Sequence, residues 1–257
     1  MAMPRPLLRR LSLAALTLLI TLPGACSKPM PAAKKTMVFA AASLTAAFEE
    51  LAKAFEQGHP GARLELHFAG TPQLVLQLQE GAAVDVFASA DQANMQKVVA
   101  TGKTTAAPAT FAQNRLTIVV AKGNPKGLAG LADLSRQDLR VVLCGPEVPA
   151  GRYARQALDQ AKVAVASRSD EPSVKAVVSK VALGEVDAGI VYVTDAAGAK
   201  DKVDAVAIAD EQNVIASYPI VRLQCGHAED PVGEQFVAFV LSAAGQAVLA
   251  RHGFAAP

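Results

Sequence analysis

Four short stretches place a hydroxyl, or a run of backbone N–H groups, where an extended segment gives way to a helix. Ser43 follows MVFAAA and opens a helical pattern; Thr71 follows RLELHFAG and opens another. The turn PEVPAG presents Ala150 and Gly151 ahead of the helix that holds Tyr153, and Pro172 and Ser173 precede a helix starting near Val174. The first turn of a helix carries N–H groups without intrahelical partners and the positive end of the helix dipole. Several such starts, gathered at the carboxyl ends of parallel strands, make an anion site that needs no formal positive charge. Each start alone has a plainer explanation, a Ser or Thr capping its own helix for about 0.5–2 kcal/mol. On that reading Thr71 is the N-cap and Pro72 the first helical residue, where a missing N–H is tolerated.

Other chemistries find little support. There is no Gly-x-Gly-x-x-Gly or Walker-type loop, and Ser43 does not sit in a Gly-x-Ser-x-Gly elbow. The neighbouring carboxylates Glu49–Glu50 and Asp170–Glu171 read as solvated faces. His59, His67, His227 and His252 show no ligand spacing with each other or with the cysteines, so neither a metal centre nor a cofactor is expected. The formal charge is +2, and no basic run interleaved with aromatics occurs, which argues against a nucleic-acid partner.

The first 25 residues read as a secretory signal: Arg5, Arg9 and Arg10, an apolar run from Leu11 to Leu22, then Gly24 and Ala25. Without those three arginines the remainder holds 22 basic and 23 acidic residues. LPGAC resembles a bacterial lipobox, which makes Cys26 the expected site of lipidation, although Pro23 stands where a leucine is usual. A soluble secreted form is the alternative. Residues 26–35, with two prolines and three lysines, read as a tether. Cys144 and Cys225 remain; an oxidising compartment favours a disulfide between them, and two buried thiols fit nearly as well because both close apolar runs.

Strand-like and amphipathic helical stretches alternate from Met37 onward, which implies an α/β fold with parallel strands and right-handed crossovers. Leu44, Phe48, Leu51 and Phe55 recur at helical spacing, and Asp91 is placed to cap the helix after VDVFASA. NRLTIVVAKGNP and VIASYPIVRL are long extended runs able to cross between two halves. The expected architecture is two Rossmann-like lobes with mixed, mainly parallel sheets joined by a two-stranded hinge. Lobe 1 comprises residues 36–114 and 216–257, and lobe 2 residues 115–215.

Taken in order, VFAAASLTAAFEELAKAFEQGHPG, FAGTPQLVLQLQEGAAVDVFASAD, PEVPAGRYA, DAGIVY and the closing LARHGF resemble the periplasmic molybdate-binding proteins of ATP-binding-cassette importers, over about residues 37–254. The resemblance implies a type II periplasmic binding protein, monomeric and without catalytic activity. It would close on molybdate or tungstate and pass the anion to a permease in the inner membrane, the metal entering only as its oxyanion. Carried over, the ligand-holding groups are Ser43, Thr71, the N–H groups of Ala150 and Val174, and the Tyr192 hydroxyl; the 18-residue step from Val174 to Tyr192 fits the family pattern. Thr71 departs from it, since serine is usual there. Arg152 reads either as a solvent-facing first-turn arginine or as a rim charge steering anions, and Tyr153 and Tyr218 read as packing. A site built of donors alone favours a fully ionised oxyanion over one that keeps a proton, so the rivals are sulfate or, in another class, an enzyme on the same scaffold. Carboxylates such as Glu147 or Asp170 completing a metal centre form a further alternative.

Overall fold

The computed structural model describes residues 35–224 and 231–257. The expected signal (1–25), Cys26, all of the tether but Lys35, and Cys225 lie outside the described residues, and with them the expected lipidation and the expected pairing to Cys225. Cys144 is a buried free thiol whose pKa burial pushes well up.

The chain starts with β1 (Thr36–Ala41), a short 3₁₀ turn (Ala42–Leu44) and α1 (Thr45–Gly58). Next come β2 (Leu64–Ala69), α2 (Thr71–Gln79), β3 (Val86–Ala88) and α3 (Gln92–Val99). β1 pairs in parallel with both β2 and β3. Its residues Val38, Ala40 and Ala41 are buried, as suits a strand covered on both faces. α1 buries Phe48, Leu51 and Phe55 along one stripe. Fully burying each such side chain stabilises the fold by about 1.5–3 kcal/mol.

β4 (Ala109–Ala121) is the longest strand described and begins five residues before the expected extended run NRLTIVVAKGNP. Then follow β5 (Val141–Cys144), α4 (Pro149–Gln160), β6 (Ser167–Glu171) and α5 (Val174–Ala182). The chain continues through β7 (Ala188–Tyr192), α6 (Val193–Gly198), β8 (Val203–Ala207) and β9 (Ile215–Arg222). It ends in α7 (Val232–Leu241) and α8 (Ala243–Arg251). β5 pairs in parallel with β6 and β7. Phe236 of α7 meets Phe48 and Phe55 at ring-centroid distances of 6.0 and 5.4 Å, so the chain's end closes the core begun by α1.

The strands run in the order β2-β1-β3-β9-β4-β7-β5-β6, with β8 on β4. β4 and β9 tie the two ends of this order together. Residues 109–115 of β4 pair antiparallel with β9, whereas 116–121 pair with β7 and β8. The mixed α/β arrangement expected from the alternating pattern is therefore present, with parallel pairing on either side of two long antiparallel strands. β6, α6 and β8 were not expected. The two strands each have a single buried residue, Glu171 in β6 and Val203 in β8, and SRSDE in particular is too polar to signal a strand.

The start of α4 is packed tightly onto the end of β5. A Cβ on Gly151 would lie 2.1 Å from the Gly145 carbonyl oxygen and 2.4 Å from that of Cys144. Gly151→Ala is therefore expected to lower stability in urea unfolding by about 1–3 kcal/mol, the usual cost of overpacking. A change within about 0.5 kcal/mol, as at an ordinary surface site, would contradict so close an approach.

Candidate anion-binding site

Ser43, Thr71, Ala150, Val174 and Tyr192, far apart in sequence, line one cavity. The four helix starts meet there: the turn after β1, the first residue of α2, the second of α4 and the first of α5. Tyr192 ends β7 and faces the same space. The cavity offers ≈ 20 Å³ to the centres of water-sized spheres. That is the room needed by a single ball of roughly 3 Å radius, enough for one small tetrahedral ion.

The hydroxyls are not spent on capping. The N-cap of α2 is Gly70, so Thr71 is the first helical residue and Pro72 the second, one step from the positions expected. Thr71 Oγ1 is buried with no hydrogen-bond partner, and so is Tyr192 Oη. Leaving a buried hydroxyl unsatisfied costs about 1–3 kcal/mol, so both favour a ligand that accepts hydrogen bonds. Ser43 lies inside the 3₁₀ turn rather than at a cap, and its Oγ is 3.1 Å from Tyr218 Oη. Ser173 does cap α5, accepting from the Ala176 N–H at 3.4 Å, which leaves the Val174 N–H for the cavity.

Close approach of the walls depends on Gly70. A Cβ there would lie 2.1 Å from the Pro172 carbonyl oxygen, so the start of α2 and the turn before α5 meet only because the side chain is absent.

Arg152 takes neither role foreseen for it. Its guanidinium is ion-paired with the buried Asp91 carboxylate. Asp91 caps α3 as expected, accepting from the Asn94 N–H at 2.8 Å. The pair ties the start of α3 to the start of α4, beside the cavity but outside its lining. Nothing in the sequence links positions 91 and 152. The carboxylates weighed as metal ligands, Glu147 and Asp170, do not line the cavity either, and Asp170 pairs with Arg155 at 2.8 Å. Among the described residues no group of three or more His, Cys, Asp or Glu side chains is placed to hold a metal ion. Tyr153 is half-buried against the core, whereas Tyr218 is fully buried behind Ser43, a polar contact that the packing expectation missed.

A second buried acid stands behind Tyr192. Asp195 Oδ2 accepts from the Tyr192 N–H at 3.2 Å, while its Oδ1 has no partner. Burial pushes its pKa up to about 7, with the Lys175 charge opposing.

A body in which helix starts from two sets of parallel strands converge on a cavity this small is a solute-binding protein. The chain belongs to the bacterial extracellular solute-binding protein family, whose model matches residues 36–255. Molybdate-binding protein ModA of Mycobacterium tuberculosis is 42% identical over 229 residues, covering 89% of this chain and 87% of that protein. Among solved structures, the periplasmic molybdate-binding protein of Azotobacter vinelandii superposes with a TM-score of 0.73 at 20% identity, covering 86% of this chain and 99% of that one. The sulfate-binding protein SubI of M. tuberculosis gives 0.75 at 18% identity, covering 86% of each. At such identities the structural likeness establishes the type II binding-protein fold, and the pairing of a molybdate binder with a sulfate binder shows that the fold does not choose the anion.

Two outcomes are expected. Arg152→Gln alone strands a buried carboxylate beside the cavity and weakens anion binding, and adding Asp91→Asn restores it to within about threefold in titration calorimetry; a double variant as weak as the single one would mean that Arg152 holds the anion itself. Asp195 keeps its proton to about pH 7 in the folded protein, against a usual 3.8. The folded state therefore binds more protons between those values, and this stabilisation is complete below pH 4 and lost as pH rises through 7. Asp195→Asn is expected to flatten the fall in melting temperature across that window; an unchanged profile would contradict the assignment.

Proposed function

We propose that the chain captures molybdate or tungstate in the cavity formed by Ser43, Thr71, Ala150, Val174 and Tyr192 and delivers it to an ATP-binding-cassette permease. The observation that carries this reading is the pair of buried, unpartnered hydroxyls, Thr71 Oγ1 and Tyr192 Oη, in a cavity sized for one small ion. A shell of N–H groups and hydroxyls with no carboxylate among them suits a fully ionised oxyanion. It disfavours hydrogen phosphate, whose proton finds only hydroxyl lone pairs to accept it. The choice of molybdate over sulfate is supported by the 42% identity to the mycobacterial molybdate-binding protein.

On this reading residues 36–114 with 216–257 form one lobe and 115–215 the other, and closure is a hinge motion in which β4 and β9 bend. The change of β4 partners between Arg115 and Leu116 supports that division. The protein acts as a monomer in the periplasm, held to the membrane through a lipid on Cys26, and performs no catalytic step.

Calorimetric titration should give one tight site for molybdate and for tungstate, with sulfate far weaker; equal sulfate affinity would overturn the assignment. Ser43→Ala should weaken molybdate binding by about 1.5–3 kcal/mol, the worth of a hydrogen bond to a charged group, and an unchanged affinity would remove Ser43 from the site.

A further inference from the structure

The Ser43 hydroxyl has a single proton and two possible uses for it. If the proton points at Tyr218, a lone pair of Ser43 faces the cavity and repels an anion. If Tyr218 donates instead, the Ser43 proton is left for the ligand. Three observations decide between these. First, Tyr218 is fully buried, and burial raises its pKa well above the usual value, so the phenol stays protonated and must donate somewhere. Second, Ser43 Oγ stands 3.1 Å from Tyr218 Oη in hydrogen-bonding geometry; the Tyr192 hydroxyl also acts on the phenol but stands outside such geometry, and the Asp195 carboxyl acts through its charge alone. Third, the neighbouring Asn114 is oriented by the backbone. Its Oδ1 accepts from the Arg115 N–H at 2.9 Å and its Nδ2 donates to Thr194 Oγ1 at 2.8 Å, so the amide nitrogen is turned toward the surrounding hydroxyls.

We propose that Tyr218 is a positioning residue for the anion site, whose phenol donates to Ser43 Oγ and so commits the one Ser43 proton to the ligand. Tyr218 does not line the cavity and makes no contact of its own with the anion. Its effect is on specificity: a Ser43 hydroxyl that donates to the ligand and accepts from Tyr218 has one lone pair already used, which makes it a poorer acceptor for the proton of hydrogen phosphate. The inference rests on the oxyanion reading and extends it to a residue outside the five ligand-holding ones.

Tyr218→Phe keeps the ring that packs edge-on against Phe111, Tyr192 and Phe254, so its melting temperature is the control for folding. At pH 8, calorimetric titration of this variant should show molybdate binding about tenfold weaker. Hydrogen phosphate should bind as before or better, so that the ratio of the two affinities falls at least tenfold. In a Ser43→Ala background the same change should alter molybdate affinity less than twofold, because its effect passes through Ser43. Equal losses in both backgrounds, or equal losses for both anions, would overturn the proposal. Neutron diffraction from deuterium-exchanged wild-type crystals reads the bond without substitution. A deuteron carried by Tyr218 Oη and pointing to Ser43 Oγ is expected, and one carried by Ser43 and pointing to Tyr218 would refute the proposal even in the absence of ligand. A wild type that fails to bind molybdate would instead overturn the oxyanion reading.

Discussion

An ion with two negative charges gives up a large hydration energy when it leaves water, and a cavity of one-ion size has no room to bring water along. The walls must therefore supply hydrogen-bond donors in every direction the ion presents an oxygen. Here they do so with almost no formal charge. Each helix start contributes the equivalent of roughly half a positive charge, so four of them together come near to balancing a dianion. The hydroxyls of Ser43, Thr71 and Tyr192 complete the shell, and the lining contains no carboxylate that would oppose the ligand.

Much of the architecture follows from bringing four helix starts to one point. Parallel strands are needed because their carboxyl ends can share an edge, with a helix beginning just beyond each. The starts after β1 and β2 come from one set of parallel strands, and those of α4 and α5 from the other. Meeting at the cavity requires the backbone at Gly70 to press against Pro172. The Arg152–Asp91 pair joins α4 to α3 beside the same point, neutralising a buried carboxylate that would otherwise face an incoming anion. The long strands β4 and β9 are the continuous connection between the two sets.

The parts of this arrangement legible in the sequence are those encoded locally. A run such as MVFAAA followed by a Phe48–Leu51–Phe55 stripe announces a strand turning into a helix, and the same signal marks the other helix starts. That the ligand-holding residues belong together was carried by resemblance, since no local pattern relates position 71 to position 192. What stayed hidden is encoded across the chain. Thr71 looked like a cap because Thr before Pro is a good helix opening, yet the backbone makes Gly70 the cap and frees the hydroxyl. Asp91 was recognisable as a cap, but its partner lies 61 positions away. Tyr218 looked like packing because an apolar strand surrounds it; its bond to Ser43 spans 175 positions. β6 escaped notice because SRSDE is too polar to read as a strand until it is seen at the sheet's edge.

The central claim is that a dianion is held by neutral donors from four helix starts. A crystal structure of the molybdate complex, with anomalous scattering recorded at the molybdenum edge, tests it most directly. The account predicts one strong peak whose oxygens lie within hydrogen-bonding distance of Ser43, Thr71, the Ala150 and Val174 N–H groups and Tyr192, with Arg152 still paired to Asp91. A peak elsewhere, or an anion in direct contact with Arg152 or another cationic side chain, would contradict it.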